Sequence, residues 1–356
     1  MFLSSYLIKN KDLIKKYLNN ISPAIIDNAI CISSGIIDII NISIGVMKLK
    51  IQKVRALKLN DTVGLMAPAG PVSQEKLQKA IWALEEWGVQ VEVGKTCRME
   101  YRGYLAGPPR KRAEELNNMF SNKEISAIFC LRGGYGSPQI LPFLDREMIK
   151  NNPKLFIGYS DITALNIFLL QHCGIPAVHG PMPASDLVDA DPFTKWDLYQ
   201  LLKGHTPLGK VSNPSEERME GIVPGRACGI LTGGNLSLIS ALMGTPFEID
   251  TKGKILFLED INEEPYKLDR MMTQLELGGK FSEAEGIILG TWTGCQSVSN
   301  LDIKVLFKEM LQPFGKPVLF NVRSGHCIPM VSLPFGAFIE IDADTEELVI
   351  KEGIIQ

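Results

Sequence analysis

Three residue types that together make a serine nucleophile work occupy comparable places in this sequence. Ser160 follows the apolar run LFIGY, Glu259 follows ILFL, and His326 lies in RSGHCIP just beyond PVLFNV. A serine hydroxyl is a poor nucleophile at neutral pH unless an imidazole takes its proton. The imidazole in turn needs a carboxylate to fix its tautomer and balance its transient charge. In KLFIGYSDITA a strand turns into a helix, which leaves the Ser160 hydroxyl at the helix N-terminus and the Asp161 amide free to stabilise an oxyanion. The pattern matches G-x-S-x-G only in part, because Ile162 stands at the second glycine. A serine at such a place also serves as an ordinary turn residue.

A second oxyanion donor needs another loop at the same sheet edge, and LRGGYGSP, with Gly134 at its centre, supplies one. Two other readings of this loop are a phosphate cradle and a plain tight turn. It lacks the G-K-[ST] ending and the G-x-G-x-x-G spacing of nucleotide motifs. Arg132 beside it either faces a substrate carboxylate or is paired structurally. Of the other histidines, His172 falls near a helix C-terminus where its charge would suit the dipole, His205 heads a polar stretch, and His179 either lines the cleft or packs beneath it. Asp260, Glu263 and Glu264 form an acidic run that reads as solvated, whereas Glu259 closes a buried strand. Seven cysteines lie scattered without a C-x-x-C pair, so neither a zinc site nor a disulfide framework is expected, and no cofactor or metal is.

These residues must be held by an α/β fold. From Asp61 onward short apolar runs alternate with amphipathic segments, as in βαβ units on a parallel sheet. In such sheets functional side chains gather beyond the carboxyl ends of the strands. The chain divides into an N-terminal extension (1–50), a first domain with the serine (51–204), a linker rich in Pro, Gly, Ser and charge (205–225), and a second domain with the glutamate and histidine (226–356). A helix is expected from Ile162 to about His172, ended by Gly174.

With 356 residues, 45% hydrophobic and 22% charged, the chain can bury a large core. A formal charge of -3, with no basic stripe interleaved with aromatics, argues against a nucleic-acid partner and for a small-molecule or peptide substrate. A reducing cytoplasm is the expected setting. The Ile-rich run Pro23 to Met47 is broken by Asp27, Asn28, Asp38 and Asn41, which makes membrane spanning or contact through residues 1–50 unfavourable.

Together the segments VGLMAPAGP, LRGGYGSPQILPFLD, FIGYSDITAL, VHGPM, LTGGNLSLISALMGTP, LFLEDINEEPYKLDRMMTQL and SGHCIPMVSLPFGA resemble the LD-carboxypeptidase family of serine peptidases, which includes the microcin C immunity proteases. They occur in the family's order over about Val54 to Glu352. The resemblance implies an N-terminal Rossmann-like parallel-sheet domain and a C-terminal barrel-like α/β domain. It also implies Ser160 as nucleophile, Glu259 as orienting carboxylate, His326 as base, and an oxyanion hole from the Gly134 region and the Asp161 amide. A cytoplasmic homodimer releasing the terminal D-alanine of murein tetrapeptide is the main activity it implies. Cleavage of a peptidyl or aminoacyl nucleotide is the alternative, and an inactive binding protein of the same fold is a further one.

Overall fold

The computed structural model describes residues 50–204, 209–214, 217–295 and 302–356, within a compact unit running from Leu49 to Gln356. The expectations for residues 1–49 and for His205 lie outside the described residues. Among the described residues no helix is long and apolar enough to cross a membrane.

The first sheet is built from β1 (Thr62–Met66), β2 (Gln90–Val93), β3 (Ile125–Cys130), β4 (Leu155–Ile157) and β5 (Ala177–His179), all parallel. Every residue of β3 is buried, as a central parallel strand covered on both faces requires. Helices α1 (Gln74–Glu85), α2 (Pro109–Ser121), α3 (Arg146–Lys150) and α4 (Thr163–Phe168) are interleaved with these strands, and α5 (Pro192–Leu202) follows them. Ser73 caps α1 by accepting from the Lys76 N–H at 3.2 Å, and Leu77, Ala80, Ile81 and Leu84 bury one face of that helix.

The second sheet contains β6 (Gly209–Val211), β7 (Glu220–Val223), β8 (Arg226–Asn235), β9 (Lys254–Ile261), β10 (Gly286–Thr293) and β11 (Val318–Phe320). The chain then makes β12 (Leu333–Phe335), which joins the first sheet antiparallel to β5, and returns for β13 (Phe338–Asp342) and β14 (Glu347–Glu352). The order is β6-β14-β13-β8-β9-β10-β11-β7, with β8 to β11 parallel, and the sheet curls as a half-barrel. Its helices are α6 (Leu236–Leu242), α7 (Pro265–Leu277), α8 (Lys280–Glu283) and α9 (Ile303–Leu311). Alternation along β9 divides the core. Ile255 and Phe257 pack into the cluster shared with the first sheet, while Leu256 and Leu258 pack with Leu268 and Met272 of α7.

Two elements differ from the sequence reading. The stretch 205–225, read as a linker, contributes β6 and β7 to the outer edges of the second sheet; strands of three and four residues are too short to show a periodicity, and β6 buries none of its residues. The helix expected from Ile162 to His172 begins as a single 3₁₀ turn at Ser160–Ile162, continues as α4, and widens into a π turn over Leu169–Cys173. Gly174 ends it in the left-handed region, at φ 67°.

Candidate active site

Ser160 stands directly after β4, at φ 63°, a left-handed conformation costly for a residue with a Cβ. Its surroundings hold it there. The Asn166 amide of α4 donates back to the Gly158 carbonyl at 2.9 Å, and Gly133 of the glycine loop packs on the serine so closely that a Cβ on Gly133 would lie 3.1 Å from the Ser160 Cβ. The strand-to-helix elbow therefore presents Oγ beyond the carboxyl edge of the first sheet.

His326 comes to that edge from the second sheet. Its Nε2 is 3.0 Å from Ser160 Oγ, and its Nδ1 is 2.8 Å from Glu259 Oε2. A carboxylate can only accept, so the proton sits on Nδ1 and the Nε2 lone pair faces the serine hydroxyl. Burial pushes the imidazole pKa down, but the Glu259 hydrogen bond and the charges of Glu259, Asp260 and Asp186 outweigh it and hold it above the usual value. Glu259 is fully buried on β9, and Oε1 accepts from the Asn235 amide at 3.3 Å while Oε2 also accepts from the His326 N–H at 3.3 Å. Leaving such a carboxylate unpaired would cost several kcal/mol, so these bonds are what hold it in place.

The Asp161 N–H falls in the first turn of its helix, where backbone N–H groups lack an intrahelical acceptor, and the Gly134 N–H donates to no backbone carbonyl among the described residues. The Asp161 side chain ties the two loops together by accepting from the Gly136 N–H at 3.2 Å and the Ser137 N–H at 2.7 Å. Beneath them Arg112 of α2, fully buried, donates to the carbonyls of Gly107 at 3.0 Å and Gly136 at 2.8 Å.

The structure thus brings Ser160, Glu259, His326, Gly134 and Asp161 to one place. Arg132 lies along the same loop, and its Nη1 donates to the Pro71 carbonyl at 3.3 Å. One expectation is corrected. Asp260 is not part of a solvated run: it is 3% exposed and accepts from Asn235 at 2.9 Å, Ser237 N–H at 2.9 Å and Ser237 Oγ at 2.8 Å. His172 does stand in the last turn before Gly174, where burial and the nearby Arg146 lower its pKa. His179 packs beneath the cleft, fully buried, and burial with His326 nearby brings its pKa down to about 3. The sequence reading missed Asn235, whose one signal is its place at the end of a strand in LTGGN. It also missed Tyr159 and Asp186, which meet across 27 residues of chain.

A hydroxyl, an imidazole and a buried carboxylate joined by hydrogen bonds define a hydrolase of the serine type. Residues 63–180 match the LD-carboxypeptidase N-terminal domain and residues 228–341 the LD-carboxypeptidase C-terminal domain. The chain is 40% identical over 309 residues to the "Probable murein peptide carboxypeptidase" of Bacillus subtilis (strain 168), covering 85% of this chain and 95% of that one. It is 32% identical to the murein tetrapeptide carboxypeptidase of Pseudomonas aeruginosa, over 78% and 92% of the two chains. Among solved structures, muramoyltetrapeptide carboxypeptidase from Oxalobacter formigenes superposes with a TM-score of 0.70 at 28% identity, over 81% of this chain and 97% of that one. The wild-type microcin C7 self-immunity protein MccF superposes with a TM-score of 0.78 at 25% identity, over 85% and 99%. The chain belongs to the LD-carboxypeptidase family.

Proposed function

We propose that this protein hydrolyses an L,D-peptide bond and releases the terminal D-alanine of murein tetrapeptide in cell-wall recycling. The observation that carries this reading is the unbroken line Ser160 Oγ to His326 Nε2 at 3.0 Å and His326 Nδ1 to Glu259 Oε2 at 2.8 Å. In the proposed reaction Ser160 Oγ attacks the carbonyl of the L-configured centre as His326 Nε2 takes its proton. Negative charge on the carbonyl oxygen is met by the Gly134 and Asp161 N–H groups. The C–N bond breaks as His326 returns the proton to the departing D-alanine amine, and water then frees the acyl group from Ser160 by the same steps. Arg132, beside Gly134, is assigned to the terminal carboxylate of the substrate. No step calls for a metal or cofactor. The names carried by the Bacillus and Pseudomonas relatives support the substrate class.

The likeness to MccF favours a second reading, cleavage of a peptidyl or aminoacyl nucleotide by the same residues. Incubating the protein with murein tetrapeptide and, separately, with an aminoacyl sulfamoyl adenosine, and weighing the products, separates the two. Release of D-alanine alone supports the first reading. Turnover of the nucleotide conjugate alone replaces it with the second, and turnover of neither leaves an inactive binding protein. We further infer a cytoplasmic homodimer, which light scattering on the intact chain tests for its oligomeric part.

A further inference from the structure

Glu259 is not the one carboxylate that bears on His326. Tyr159, the residue before the nucleophile, lays its buried ring 4.8 Å from the His326 ring, centroid to centroid, at 58°. The Tyr159 hydroxyl donates to Asp186 Oδ1 at 2.9 Å, and His179 meets the same ring edge-on at 5.5 Å. Asp186 is itself fixed, because its Oδ2 accepts from the Met182 N–H and from Ser185 Oγ, both at 2.8 Å. Three donors thus converge on Asp186, and among the described residues no ion pair neutralises it. Burial outweighs these three bonds, which favour the charged form, and holds its pKa above the usual carboxylate value.

We propose that Asp186, acting through Tyr159, is a second positioning carboxylate for His326, setting the tilt of the imidazole and adding negative charge on the side that Glu259 does not occupy. Tyr159 and Ser160 are adjacent in the chain, so the same elbow that aims the nucleophile also aims the ring against its base. The other titratable groups around His326 are Glu259 and Asp260 from β9, His179 from β5, and Cys327 next to it in the chain. His179 is held neutral by burial, and burial pushes the Cys327 thiol up to about 11, so Asp186 is the one carboxyl group around His326 that does not come from β9. Asp186 and Tyr159 touch no reacting atom and are positioning residues.

The inference rests on His326 being the base of the proposed reaction, and its test is separable from that reading. The His326 imidazole is titrated by NMR in the intact chain and in Tyr159→Phe and Asp186→Asn, and kcat and KM are measured on murein tetrapeptide. Removing charge or its anchoring should lower the His326 midpoint in both variants. It should also reduce kcat roughly tenfold while KM stays within about twofold, as expected when an interaction made in the transition state is lost. A His326 midpoint unchanged from wild type in the folded variants overturns the proposal. If Asp186→Asn does not fold, Tyr159→Phe, which keeps the ring and the Met182–Asp186 turn, decides by the same two outcomes. If the wild-type chain turns over no murein peptide, the proposed function fails and the NMR midpoints still decide this inference.

Discussion

Backbone strain at Ser160 and the net rise in the His326 pKa have one origin, the crowding of polar groups where two sheet edges meet. The elbow holds Ser160 at φ 63°, and the acidic groups Glu259, Asp260 and Asp186 surround the imidazole. A general base works only when neutral, so a pKa held up by those carboxylates moves the onset of activity to higher pH. The rate kcat/KM should therefore rise with pH along a single acid limb whose midpoint lies above the free imidazole value of about 6.5. Glu259→Gln should move that midpoint down and lower the plateau. A limb at or below the free value in the wild type would show that the surrounding charges do not act on the working base. At this scale the sequence was informative. Ser160, Glu259 and His326 each follow an apolar run, and a strand end is where such side chains project. Asn235, Tyr159 and Asp186 were not legible, because their partners are distant in sequence and neither spacing nor periodicity records the meeting.

Loops, not strands, set the tolerances of the site. Gly325, at φ 110°, precedes His326, and a Cβ there would lie 2.5 Å from Glu259 Oε2. Gly325→Ala would thus strain the backbone and push on the very bond that orients the imidazole. We expect kcat to fall by about 10- to 100-fold, since a displacement of about 1 Å at a reacting group costs on that order. Circular dichroism should show the fold retained. Near-wild-type kinetics for Gly325→Ala would mean that the loop accommodates the change and that Glu259 does not depend on it. The elements themselves were partly legible. The buried runs of β3 and β9 and the amphipathic face of α1 announce themselves, whereas β12 contains Pro334 and pairs only at a sheet edge, a pattern that reads from sequence as loop.

The whole molecule closes the site by tying the His326 loop to the first sheet. Thr194 Oγ1 of α5 accepts from the Met330 N–H at 2.8 Å, Asp197 Oδ2 accepts from the Ser332 N–H at 2.7 Å, and β12 then pairs with β5. Nucleophile and base, 166 residues apart, are thereby held at hydrogen-bonding distance. Every residue of the site lies in the unit from Leu49 to Gln356. A chain beginning at Met47 should accordingly keep its turnover within about twofold of the full chain, surface and terminal changes being small in effect when no core element is cut. A tenfold loss would mean that the preceding residues support the site. The central claim, that Ser160 is the nucleophile of an L,D-carboxypeptidase, is tested most directly by Ser160→Ala. D-alanine release from murein tetrapeptide is followed by mass for wild type and variant, with folding verified by thermal melting. The account predicts a fall of roughly 10³- to 10⁶-fold in turnover with the fold intact, as when a member of such a hydrogen-bonded set is removed. A folded Ser160→Ala protein within tenfold of wild type would contradict it.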